Sequence, residues 1–190
     1  MREYGSEHPA IILPDSYFDS MGEYGREVLY LRSGREALLL AAIIASTEKD
    51  KTILFPAYSC WSMRAPFEKV GWKVVYYRLK EDLTVDTDYL IQLLESEKPQ
   101  AVLTMNFYGS ASTDEAVFIV KKHDESIKII EDFSHCTFSF KLIHNPKVDI
   151  YVSSIRKSIG VCDGSVILSK ERLPTQCIQE VQKDFADKRY

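Results

Sequence analysis

The sequence predicts an α/β domain with a mainly parallel sheet flanked by helices, and two observations carry that prediction. Short apolar runs rich in β-branched and aromatic residues recur at 52–55, 73–78 (KVVYYR), 101–105 (AVLTM), 128–130 and 149–152, each suited to a strand buried on both faces. Segments of helical periodicity lie between them, and strands alternating with helices imply right-handed βαβ crossovers. At 190 residues the chain suits one domain with a full-sized core.

Residues 33–46 (SGREALLLAAIIAS) form the first expected helix. The segment is rich in Ala and Leu, lacks proline, and opens with Ser33-x-x-Glu36, the capping-box pattern. Its apolar residues run nearly all round, which marks a helix buried against other elements. In 86–97, Tyr89, Leu90, Leu93 and Leu94 recur at helical spacing, and 113–122 reads as a further helix. Residues 164–169 (GSVILS) follow the 149–152 run after a loop too short for a helical crossover, so an antiparallel return is expected. Residues 1–30 read as an N-terminal arm and 171–190 as a polar C-terminal helix. With no repeat, low-complexity tract or linker, 1–190 is read as a single domain.

Composition excludes several functions. A net charge of −4 builds no basic stripe for nucleic-acid phosphates. The four cysteines form no C-x-x-C pair, so neither a zinc cluster nor a disulfide framework is implied, and a cytoplasmic protein is expected. The longest strongly apolar run, 37–45, is about half of what a bilayer crossing needs, so no membrane partner is expected. The N-terminus shows no secretory pattern.

In open parallel sheets ligands bind at the carboxyl ends of strands, which directs attention to four places. At Ser33-Gly34-Arg35-Glu36 a helix entry exposes backbone N–H groups and the positive end of a dipole, suited either to a phosphate or simply to the cap. Asp132, after the 128–130 run, suits a ligand cation with His135 as a nearby partner, or a local cap. Lys157, after the 149–152 run, suits a carbonyl-binding amine or an ordinary surface lysine. Asn106, opening Asn106-Phe107-Tyr108-Gly109, suits a ring oxygen or the start of a turn.

Order separates these readings. A helix-entry glycine, a strand-end Asp and a later Ser154-x-x-Lys157 form a constellation that nucleotide-binding folds lack, and neither G-x-G-x-x-G nor a P-loop occurs. Five segments between about residues 31 and 168, LRSGREALLLAA, FPAYSCWSMRAPFEKVGWKVVYYRL, LTMNFYGSAS, IIEDFSHCTFS and YVSSIRKSIGVCDGSVIL, carry a resemblance in the same order. They resemble the fold-type I pyridoxal 5'-phosphate (PLP) enzymes, aspartate aminotransferase-like in fold, and most closely the sugar aminotransferases of the DegT/DnrJ type.

The resemblance implies that Lys157 forms a Schiff base with PLP and moves the proton at the substrate carbon. Asp132 would hold the pyridine nitrogen, and His135 and Asn106 would approach the ring hydroxyl. Ser154 and the backbone at Gly34 and Arg35 would cradle the phosphate. The sequence departs from the family pattern where the ring-stacking aromatic falls on Cys60, leaving Trp61 or Tyr58 for that part. It departs again where a Gly-Glu-Gly-Gly run appears as Cys162-Asp163-Gly164-Ser165, and a third time where the family's C-terminal small domain is expected to be missing. The implied function is amino-group transfer from an amino-acid donor to a keto or keto-sugar acceptor, in a homodimer. The alternative is a truncated, non-catalytic relative that binds PLP or a partner. A PLP enzyme of dehydrating or eliminating type shares the same cofactor chemistry, but Lys157, a lysine where dehydratase relatives carry histidine, disfavours the dehydratase branch.

Overall fold

Strand β4 (Ala101–Met105) is buried along its whole length, as an apolar run at the centre of a sheet should be. A computed structural model of the chain describes residues 25–46, 51–109, 112–137, 145–159 and 161–173. In it β1 (Glu27–Leu31), β2 (Lys51–Pro56), β3 (Trp72–Tyr77), β4, β5 (Lys128–Asp132), β6 (Ile150–Ser153) and β7 (Ser165–Ser169) form one sheet in the order β1-β7-β6-β5-β4-β2-β3. The pairs from β3 to β6 are parallel, and β7 runs antiparallel to both β6 and β1, the return expected from the short preceding loop. The helices are α1 (Gly34–Ile44), α2 (Trp61–Lys69), α3 (Thr87–Glu97) and α4 (Asp114–His123).

Side-chain alternation along the strands divides the interior into two layers. Ile53, Phe55, Leu103, Ile130 and Val152 face α1 and α2 with Leu40, Met63 and Phe67. Their neighbours Leu54, Val102, Ile129 and Tyr151 face α3 and α4 with Leu90, Leu94, Val117 and Val120. The first helix is buried, as its all-round apolar surface predicts, with Ala37 to Ala42 against the sheet and α2. Ser33 Oγ accepts the Glu36 N–H at 3.3 Å, while Glu36 Oε2 accepts the Arg32 N–H at 2.7 Å, so the capping box closes one residue before the cap itself.

Two elements escaped the sequence reading. Residues 27–30 fall in the expected N-terminal arm, yet with Leu31 they form β1, a half-buried edge strand paired, among the described residues, with β7 alone. Helix α2 carries Pro66 in its interior and little apolar periodicity. It forms because Met63 and Phe67, one turn apart, are buried against α1 and the sheet, and packing outweighs propensity. Residues 1–24 of the expected arm and 174–190 of the expected C-terminal helix lie outside the described residues. Among the described residues no helix is long and apolar enough to cross a membrane.

At the amino ends of β5 and β6, the buried Lys121 of α4 ties the layers together. Its Nζ donates to Asp149 Oδ2 at 2.9 Å and to the carbonyls of Ile127 and Glu125 at 2.8 and 3.0 Å. Asp149 in turn accepts the Ile129 N–H at 2.8 Å. Lys121→Ala, which leaves the carboxylate half-paired in a low-dielectric place, is expected to cost about 3 kcal/mol in urea unfolding.

Candidate active site

Parallel register sets the site. Met105 of β4 lies opposite Asp132 of β5, and Asp132 lies opposite Val152 of β6, so the residues that follow these strands emerge side by side. The amino end of α1 meets them there. Gly34 is the point of closest approach, since a Cβ on it would stand 3.1 Å from Ser154 Cβ, tighter than side chains normally pack. Ser154 N–H donates to Ser134 Oγ at 2.9 Å, and Ser134 N–H donates to Asp132 Oδ1 at 2.7 Å, so the two turns brace each other. Gly164, at φ +131°, donates to Arg32 O at 2.7 Å and accepts the Arg156 N–H at 3.4 Å. This places the short 3-10 turn Ile155–Lys157 against the entry to α1.

A cavity of about 170 Å³ opens between them, lined by Gly34, Arg35, Asp132, Ser134, Ser154 and Lys157 among others. A second, of about 400 Å³, adjoins it and shares Cys60, Met63 and Lys157 with the first. Tyr58, Tyr108, Met105 and His135 line its other walls. The Tyr108 and His135 rings stack with centroids 4.7 Å apart, and Tyr108 holds φ at +56° to do so, a backbone conformation costly for a bulky residue.

Asp132 is 2% exposed. Burial raises its pKa, against the opposing pull of the Ser134 hydrogen bonds and of the Lys157 charge. Burial lowers the His135 pKa and the positive charge of Lys157 lowers it further, while the negative Asp132 works the other way. Among the described residues, three polar atoms at or beside the cavities are buried without a hydrogen-bond partner: Ser59 Oγ, Asn106 Oδ1 and His135 Nδ1. Such atoms are rare unless a ligand or water satisfies them.

The structure thus brings Gly34, Arg35, Asp132, His135, Ser154 and Lys157 to two adjoining cavities, with Asn106 buried at the end of β4. Trp61 is not brought in. It opens α2 with its side chain 64% exposed and lines neither cavity, whereas Tyr58, three residues earlier, lines the second. The reason is local: Cys60 takes the cap position of α2, and the helix turns the next side chain outward. Tyr108 and Ser134 received no role from the sequence. Their signals were present in the strand-end position of both, but neither side-chain type points to a particular chemistry.

No protein-family model and no curated protein matches the chain. Solved structures do. An aromatic aminotransferase of Pyrococcus horikoshii superposes with a TM-score of 0.64 at 18% identity, over 86% of this chain and 47% of that one. A DegT/DnrJ/EryC1/StrS aminotransferase of Brucella abortus gives a TM-score of 0.63 at 14% identity, over 87% and 47%. The fold is that of the PLP-dependent aminotransferases. The five-segment resemblance is therefore borne out at the level of fold. The chain spans a little under half the length of these aminotransferase structures. The same fold also serves a sphingosine-1-phosphate lyase of Burkholderia pseudomallei, with a TM-score of 0.64 at 13% identity over 82% and 40% of the two chains. An aminotransferase fold alone does not choose the reaction.

Behind the site, on the opposite face of β5, lies Glu131, 1% exposed and bonded to the Thr113 hydroxyl. Burial lifts its carboxyl to about 7, although the Thr113 bond works in the other direction. The folded chain keeps this proton to a higher pH than the unfolded chain does. Its contribution to stability is therefore full below the ordinary carboxyl range and is lost as pH rises through about 7. Glu131→Gln is expected to remove that loss, so that the variant gains on the order of 2 kcal/mol over wild type between pH 5 and pH 8 in urea unfolding.

Proposed function

We propose that residues 1–190 form a PLP-binding large domain of aminotransferase type, which transfers an amino group from an amino-acid donor to a keto or keto-sugar acceptor. The observation that carries this reading is the convergence of Lys157, Asp132 and the amino end of α1 on adjoining cavities at the carboxyl ends of β5 and β6. The residues fit the cofactor. A phosphate suits a helix entry where Gly34 admits close backbone approach, with Ser154 beside it. A protonated ring nitrogen suits Asp132, whose burial penalises an unpaired charge, because a cation there favours the ionised carboxylate. A ring hydroxyl suits His135 Nδ1 and Asn106 Oδ1, both buried without partners.

When bound, PLP supplies the electron sink for the pair released as a bond to the substrate α-carbon breaks. Everything else falls to the chain. Lys157 Nζ anchors the cofactor carbonyl and then, as a free amine, carries a proton at the substrate carbon. Asp132 holds the proton on the ring nitrogen. That Tyr58 and Cys60 line the second cavity while Trp61 is exposed supports Tyr58 as the aromatic that would flank the ring. The keto-sugar acceptor is supported by the likeness of the motifs to the DegT/DnrJ type.

A homodimer belongs to the same proposal. Tyr58, Trp61 and Tyr108 are each more than half exposed, large aromatics of a kind that partner surfaces cover. Cytoplasmic location is supported by the free thiols of Cys60, Cys136 and Cys162.

Purified protein incubated with PLP is expected to develop a visible absorption band, and borohydride reduction should leave a pyridoxyl group on Lys157 in the peptide map. Loss of the band in Lys157→Ala supports the reading; labelling scattered over surface lysines would sink it. Retention of PLP with no keto acid released from a panel of amino-acid donors would favour the non-catalytic alternative. Asp132→Asn should keep the cofactor while lowering amino transfer by roughly 10²-fold or more, measured as keto-acid release. Gly34→Ala, by forcing Ser154 away from the helix entry, should weaken PLP binding by about tenfold in fluorescence titration.

A further inference from the structure

Two turns wall the second cavity on one side, through Tyr108 of 106–109 and His135 of 132–136. The 106–109 turn carries Asn106 and Tyr108, and the 132–136 turn carries Asp132 and His135. Cys136 joins them: its Sγ donates to Asn106 O at 3.5 Å and accepts the Gly109 N–H. A thiol does both only while protonated, and burial together with the negative Glu131 pushes Cys136 up to about 12.

Glu131 itself is placed between β4 and β6, opposite Thr104 and Tyr151 in register, on the face turned away from Asp132. Its partner Thr113 stands immediately before α4, where a threonine ordinarily caps the helix. Here the hydroxyl makes no cap and donates to Glu131 instead. The start of α4 is thereby pinned to β5, and only three residues separate Thr113 from Gly109, four steps of chain with a reach of about 14 Å at most.

We propose that Glu131 is a positioning residue of the site: through Thr113 it pins the start of α4, and with the Cys136 bond to Asn106 O it holds the 106–109 turn so that Tyr108 stays stacked on His135. The proposal deepens the PLP-binding reading and rests on it, because it is the cofactor that those side chains would meet. Glu131 lines neither of the two cavities and acts only through the residues it holds.

The test uses the whole chain and removes one hydroxyl. Thr113→Val is nearly isosteric and deletes the donor to Glu131, Thr113→Ser retains it, and Glu131→Gln retains an acceptor. Hydrogen exchange of the Gly109 amide is read without cofactor, and PLP affinity by fluorescence titration, both well below the melting temperature. Thr113→Val is expected to speed exchange at Gly109 by roughly tenfold and to weaken PLP binding by a similar factor, with both effects reversed in Thr113→Ser and absent in Glu131→Gln. Unchanged PLP affinity in Thr113→Val overturns the proposal whatever the exchange shows, and so does a Thr113→Ser variant as impaired as Thr113→Val. If wild-type protein takes up no PLP, the proposed function fails, and the brace is judged on exchange alone: acceleration in Thr113→Val supports it, and no change overturns it.

Discussion

Parallel pairing of β4, β5 and β6 in one register decides where every polar group of the site stands. The pairing sets Met105 opposite Asp132 and Asp132 opposite Val152, and the three strands end within a residue of one another. Because side chains alternate, a slip of one residue in β5 would turn Asp132 into the layer beneath α3 and α4 and bring Glu131 or Phe133 to the cavity. The slip is opposed by apolar neighbours on both faces: Ile130 belongs to the layer under α1 and α2, and Ile129 and Phe133 to the other. Burial of hydrocarbon therefore fixes the placement of a carboxylate.

Two adjacent carboxyls consequently live in different surroundings. Asp132 faces a cavity with Lys157, receives the Ser134 N–H, and is poised for a cation. Glu131 faces a core, with the Thr113 hydroxyl as its bonded partner, and gains protons near neutral pH. One peptide unit separates a group suited to a ligand from a group suited to holding the backbone. The same division appears at the entry to α1, where Gly34 meets the cavity while Glu36 is buried behind it and accepts the Arg32 N–H.

The fold is shared by aminotransferases and by a lyase, so the choice of reaction lies in side chains and not in the sheet. That is why the weight of the functional proposal falls on Lys157, Asp132 and the orphaned atoms of His135 and Asn106, which are properties of this chain.

Much of this architecture was legible in the amino-acid order. The limits of β4 were read to the residue, and the first helix with its Ser33 cap, the helix before β4 and the antiparallel β7 all stood close to their observed places. Their signals are local, namely apolar period, capping pattern and loop length. What escaped has tertiary causes. Strand β1 exists because β7 offers it an edge, and α2 keeps Pro66 because Met63 and Phe67 are buried. Trp61, the larger aromatic beside Cys60, faces away from the cavities, while Tyr58 lines one; the phase of a helix start decides that, and composition does not. Most strands and helices, and the types of side chain at the strand ends, follow from short-range periodicity and residue order along the chain. Which of these side chains meet is settled in the folded chain, because register, helix phase and burial arise between segments far apart in the sequence.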